Sequence, residues 1–169
     1  MIRLNRTTEY GLIALWHMSR KKSTHVNLLT TAREISDHYG LPFEITAKTL
    51  QRLKNADFIH SSHGAKGGYY LKKNLKDVSF ADFLSLMEGG QSLVICTFPR
   101  EHPEDGSCEY RDRCEIKSFM SSLNQRMVQF LANIRLSELE EFYSNNNGKD
   151  LSANIPVSLL VSQKEALKT

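Results

Sequence analysis

The sequence predicts a mainly α fold with a small β-hairpin wing, organised as a winged helix-turn-helix followed by a long helix. Three observations predict it. The first half reads as helix, helix-turn-helix and hairpin, in that order. One apolar stripe at helical spacing runs from Ile116 to Ile134. All three cysteines, Cys96, Cys108 and Cys114, fall between these two parts.

The composition agrees with this. The 169 residues are 40% hydrophobic and 24% charged, which excludes a wholly disordered chain and suits one domain with an appendage. No apolar run approaches the ~18 residues of a membrane span. The opening Met1-Ile-Arg-Leu-Asn-Arg6 lacks the features of a secretory signal. An odd, small cysteine count fits no disulfide scaffold, so a reducing cytoplasm is expected.

Each element has a local cause. A helix is expected from Thr7 to about Arg20, capped by Thr7 or Thr8, with Glu9 favoured in its first turn. Leu12, Ile13, Leu15, Trp16 and Met18 make it mostly buried, and Lys21-Lys-Ser-Thr24 reads as a polar break. Thr31-Ala-Arg-Glu34 is a capping-box pattern that opens a short helix to about His38, with Ile35 inward. Tyr39-Gly-Leu-Pro42 is a sharp turn, and Pro42 suits the first turn of a helix running to about Asn55. Its inward positions are read as Phe43, Ala47, Leu50 and Leu53, and its other face as Glu44, Lys48, Gln51 and Arg52. Phe58 to Ser61 and Tyr69 to Leu71 read as strands around a Gly64–Gly68 turn. Ser79-Phe-Ala-Asp82 caps a helix that stops at Gly89-Gly90. Residues 96–114 have no period and read as a loop. The stripe after them makes a helix of about 20 residues, with Ser137-Glu-Leu-Glu140 opening a short further one.

Charge assigns a partner to the first half. Residues 1–78 hold 13 Lys and Arg against 6 Asp and Glu, whereas the remainder is acidic. A basic winged helix fits duplex DNA, because the major groove is about as wide as one helix. Lys48, Gln51 and Arg52 are residue types that read base edges or phosphates. The hairpin tip from His63 to Gly68 brings Lys66 and glycines, among them Gly67, close to a backbone or minor groove. A long helix with an unspent apolar stripe favours a homodimer. Its two reading helices would lie about 34 Å apart on a palindromic operator.

Cys96-x(11)-Cys108-x(5)-Cys114 is too spread for a zinc ribbon, yet three thiolates on one loop can converge on a soft centre, iron–sulfur or zinc. A fourth ligand would be His102, a loop carboxylate or a residue from elsewhere. No nucleophile–base pair is evident, so no enzyme is expected. Two alternatives stay open. One is a zinc-stapled nucleic-acid-binding module, and the other a cluster-free regulator that responds through its thiols.

The chain resembles the IscR/NsrR-type iron–sulfur regulators of the Rrf-two family of winged-helix transcription factors, over about residues 3–142. The resemblance rests on Leu4, Thr8-Glu-Tyr-Gly-Leu-Ile-Ala-Leu15, Leu50-Gln-Arg-Leu-Lys-Asn55, His63-Gly-Ala-Lys-Gly-Gly-Tyr69 and Val78-Ser-Phe-Ala-Asp82. The cysteine triad and Phe130-Leu-x-x-Ile134-x-Leu136-x-x-Leu139 complete it. The resemblance implies a cytoplasmic homodimer with a 2Fe–2S or 4Fe–4S cluster on Cys96, Cys108 and Cys114. It also implies promoter binding controlled by cluster state, with nitric oxide, redox state or iron–sulfur supply as the signal. IscR-like members use a His three residues after the last Cys, where this chain has Lys117. NsrR-like members use an acidic residue in the partner's first helix, where this chain has Glu9. The expected organisation is a DNA-binding domain at 1–90, a cluster-binding loop at 91–115, a dimerisation helix with its short successor at 116–143, and a flexible tail at 144–169.

Overall fold

The computed structural model describes residues 4–24, 29–64, 67–90, 92, 108, 110 and 113–141. Its elements are α1 (Arg6–Thr24), α2 (Ala32–Tyr39), α3 (Phe43–Asn55), β1 (Ile59–Ser62), β2 (Gly68–Leu71), α4 (Phe80–Glu88) and α5 (Lys117–Asn133). The mainly helical architecture with one antiparallel hairpin is the one expected from the sequence. The tail after Ser144 and most of the cysteine loop lie outside the described residues.

Helix α1 is capped by Asn5 rather than by Thr7 or Thr8. The Asn5 side chain accepts from Thr8 N at 2.8 Å. Thr8 is itself fully buried, and its hydroxyl donates to Glu88 at the end of α4. Asn5 also donates to Glu88, from its backbone at 3.0 Å and its side chain at 2.7 Å. The predicted polar break is absent, and α1 continues to Thr24. Lys21 holds the extra turn, because its ammonium donates to Leu29 O at 2.7 Å and to Glu34 at 2.6 and 2.8 Å.

Both capping boxes form as expected, Thr31 with Glu34 and Ser79 with Asp82, and left-handed Gly40 and Gly89 end α2 and α4. The turn after α3 is made by Asp57, a non-glycine residue at φ 62°, whose carboxylate pairs with Lys72 at 2.9 Å. The inward face of α3 agrees with the sequence expectation at Leu50 and Leu53 and differs from it at Phe43 and Ala47. It is Thr46, Thr49, Leu50 and Leu53, whereas Ala47 is half-buried and Phe43 is 41% exposed. The two threonines tolerate burial because each hydroxyl donates to the carbonyl four residues back, at 3.0 and 2.8 Å. Phe43 instead carries the Arg33 guanidinium 4.4 Å above its ring.

The core lies where α1, α3 and α4 meet around Leu15, Leu50, Leu53, Phe58 and Phe83. Gly11 lets α1 approach α4: a Cβ there would stand 3.0 Å from the Phe83 ring. In the hairpin, Ile59 pairs with Leu71 and Ser62 with Gly68. A third segment joins it, since Thr30 and Tyr69 exchange two backbone hydrogen bonds of 2.8 Å. The wing is thereby fastened to the entry of α2. After α5 the chain returns to the core. Leu136 N donates to Val78 O, Ser137 N to Leu75 O, and the Leu136 side chain is fully buried. A helical turn follows at 138–141. No helix among the described residues is long and apolar enough to cross a membrane.

Candidate nucleic-acid interface and thiol site

The second helix of the helix-turn-helix, α3, presents Glu44, Lys48, Gln51 and Arg52 at the surface, as expected. Three of them extend as a polar row at helical spacing. Arg52 is placed differently from a free reader, because its guanidinium donates to Leu86 O on the last turn of α4. A cation suits that position, since carbonyls at a helix C-terminus carry partial negative charge. The bond ties α3 to the segment that leads into the cysteine loop.

The wing stands beside α3. His63 is exposed and Gly64 has φ 120°. Gly67 is required by the turn itself, as a Cβ there would lie 2.6 Å from Ser62 O. Lys66 lies outside the described residues. Between α3 and the wing is a cleft of about 340 Å³, entered by Gln51 and Lys54 from one side and by Ser61, Ser62 and His63 from the other. The Tyr69 hydroxyl reaches Gln51 across it at 3.5 Å. Lys54 was not singled out in the sequence, although the available signal was simple: it lies three residues after Gln51, on the same helical face.

The thiol site is described in part. Cys108 and Cys114 are free and half-buried, and Cys114 immediately precedes the turn into α5. Cys96 and the loop candidates His102, Glu101, Glu104, Asp105 and Glu109 lie outside the described residues. Among the described residues no group of three metal-ligating side chains is assembled. The donor set nonetheless fits a soft metal centre, because uncommitted thiols are the ligands iron–sulfur clusters use. Glu9 is on the first turn of α1, partly exposed, with its carboxylate accepting from Arg6 at 2.9 Å. An exposed pair of this kind is weak and would yield to a stronger partner.

Helix α5 is unlike the other helices. Among the described residues none of its side chains is buried, and Phe119 and Phe130 are 67% and 65% exposed.

Comparison with known proteins gives these features a context. The chain is 24% identical over 138 residues to the HTH-type transcriptional regulator IscR of Klebsiella pneumoniae, spanning 82% of this chain and 79% of that one. It is 29% identical over 106 residues to IscR of Pectobacterium atrosepticum, spanning 63% and 61%. Among solved structures, T. potens IscR superposes with a TM-score of 0.63 at 16% identity, covering 88% of this chain and 93% of that one. CymR, the global cysteine regulator of B. subtilis, superposes with a TM-score of 0.60 at 21% identity, covering 84% and 98%. These two likenesses establish the winged-helix fold. Residues 4–141 match Rrf2, described as an iron-dependent transcriptional regulator family. That match runs from the start of α1 to the helical turn after α5, so the chain belongs to the Rrf2 family of transcriptional regulators, which bind DNA and are not enzymes.

Proposed function

We propose that the protein is a homodimeric regulator in which each subunit sets α3 into the major groove of a palindromic operator, and whose cysteines hold an iron–sulfur cluster. The carrying observation is the exposed polar row of α3 standing beside a wing that is fastened to α2. Glu44, Lys48 and Gln51 contact base edges or phosphates in this reading, while His63, Lys66 and Gly67 meet the adjacent backbone or minor groove. Arg52 braces α3 against α4 and approaches DNA only if it leaves Leu86.

Cys96, Cys108 and Cys114 would hold the cluster, 2Fe–2S or 4Fe–4S, with the partner subunit's Glu9 as a fourth ligand. When bound, such a cluster supplies a centre that exchanges an electron and that oxidants or nitric oxide attack. The chain's own residues supply the connection to DNA. Glu88 accepts from Asn5 and Thr8, so the first turn of α1, which carries Glu9, is tied to the end of α4. On the same turn, two residues earlier, Leu86 receives Arg52 from α3. Both the helix that carries Glu9 and the reading helix are therefore held by the turn from which the cysteine segment departs.

The test is purification without oxygen, iron and sulfide quantitation, and operator binding with and without the cluster. Absorbance near ~400 nm with bound iron and sulfide is expected. A change in operator affinity of about 5–150-fold on cluster loss is expected with it, corresponding to a coupling of ~1–3 kcal/mol. Protein that takes up no iron, or binds equally in both states, overturns the cluster reading. A colourless zinc protein would be the stapled module instead.

A second reading keeps the fold and omits the metal. It is favoured by free, half-buried Cys108 and Cys114 and by the likeness to CymR, one structure of which, from Staphylococcus aureus, is of an oxidized form. Such a protein would be colourless and metal-free, and its operator binding would change on thiol oxidation alone.

A further inference from the structure

The cleft between α3 and the wing has a composition that its place in the fold does not require. Beside Ala32 and the Tyr69 ring, its walls carry amine, imidazole, amide and hydroxyl groups, from Lys54, His63, Gln51, Ser61 and Ser62, and no carboxylate lines it among the described residues. Pockets for small organic ligands are mostly apolar with a few polar groups. A lining of donors with one fixed cation suits an anion whose oxygens accept hydrogen bonds. The cleft is also preformed. The paired backbones of Thr30 and Tyr69 lock the wing to the start of α2, and Gly68 packs so closely that a Cβ would lie 3.0 Å from Thr30 O.

Duplex geometry specifies the anion. Adjacent major and minor grooves are separated by one sugar–phosphate strand, so a protein with a helix in one and a wing at the other must straddle that strand. The cleft lies between those two elements. We propose that it seats the strand, with the Lys54 ammonium on a phosphodiester and the Ser62 hydroxyl and His63 ring donating to the same or the next phosphate. The inference rests on the DNA reading above. It assigns to Lys54 a role different from that of the α3 row: the row selects sequence, whereas Lys54 sets grip and register without selecting.

Salt dependence separates these roles. Each phosphate neutralised by a cation contributes about 0.9 to the slope of log affinity against log salt, whereas base contacts alter discrimination. The experiment measures anisotropy of two labelled duplexes, one selected from a random pool by the wild-type protein and one scrambled, between about 50 and 200 mM salt. Lys54→Gln is expected to weaken both duplexes by the same factor and to reduce the slope by about one. Lys54→Arg is expected to keep the wild-type slope, which shows that charge rather than folding is responsible. Lys48→Ala is expected to change the ratio between the duplexes. A Lys54→Gln protein with the wild-type slope, or with an altered ratio between duplexes, overturns the proposal and leaves the DNA reading in place. Wild-type protein that enriches no duplex from the pool overturns the DNA reading and this proposal together.

Discussion

Helices α3 and α5 are both amphipathic, 13 and 17 residues long, and the structure treats them in opposite ways. In α3 the inward row is buried against its own domain. In α5 the row is as apolar, but among the described residues none of it is buried. Its C-terminal end is gripped: Leu131 packs half-buried against the core, and the residues just past the helix are held by backbone bonds to Leu75, Val78 and Phe80 and by the buried Leu136 side chain. The anchored residues fix where α5 leaves the domain, and the exposed part of its stripe, Phe119, Leu123 and Phe130, is left for another surface to cover. In our reading that surface is the same helix of a second copy.

The sharpest way to break this contrast is to compare two phenylalanines. Phe83 is fully buried, with the rings of Phe58 and Phe80 each 6.4 Å away. Phe83→Ala is expected to cost ~3–5 kcal/mol in urea unfolding, the usual range for a buried aromatic. Phe130→Ala, measured at a concentration where the protein is monomeric, is expected to fall within about 0.5 kcal/mol of wild type. Equal costs would mean that α5 is packed within its own subunit.

A charge on the stripe tests the second copy directly. Phe119→Glu is expected to raise the dimer dissociation constant at least tenfold, about 1.4 kcal/mol, by sedimentation. The wild-type melting temperature should rise with protein concentration and that of the variant should not. A wild-type protein that is monomeric at every concentration ends the dimer reading.

What could be read from the sequence divides along the same line. Thr31 with Glu34, Ser79 with Asp82, and Gly40 and Gly89 are local devices whose partners lie within about one turn, and the expected helices start or stop there. The polar row of α3 was legible because surface residues need no partner. The errors fall where a distant residue decides. Thr8 looks like a cap but serves Glu88, 80 residues away. Lys21 looks like a break until Glu34 draws it in. Phe43 looks like core, yet beside the expected Leu50 and Leu53 the buried positions are two threonines that satisfy their own hydroxyls. Arg52 looks free, but a carbonyl on α4 holds it. For the thiol site the spacing of the cysteines was legible, whereas their convergence depends on a loop mostly outside the described residues.

The junction that anchors α5 offers a smaller, more local test. Ser79 caps α4 through Asp82 N at 3.0 Å, and its backbone bridges to Arg135 just past α5. Ser79→Ala is expected to cost ~1 kcal/mol by the loss of a helix cap. Because the cap and the bridge share one residue, the variant should also loosen the end of α5, read as faster amide exchange at Leu136. Faster exchange in α4 with no change at Leu136 would separate the cap from the anchor.

The smallest effect belongs to the well-packed side of the comparison, where α1 meets α2. Burial pushes the Glu34 carboxyl up, but the hydrogen bonds from Lys21 and His17, the Lys21 charge and the Thr31 backbone together hold it below its ordinary value. A carboxylate with a lowered folded-state pKa stabilises the fold above its unfolded pKa and loses that contribution as pH falls through the folded value. The loss should therefore begin near the ordinary glutamate value of about 4.3 and continue below it. Glu34 is about one-third exposed, so solvent screens much of the interaction. Glu34→Gln is expected to be slightly less stable than wild type at neutral pH and to approach it below that range, in urea unfolding followed across pH. A gap that stays constant with pH would mean that Glu34 acts through hydrogen-bond geometry alone, as a capping-box side chain, and that its charge does nothing to hold α2 against α1.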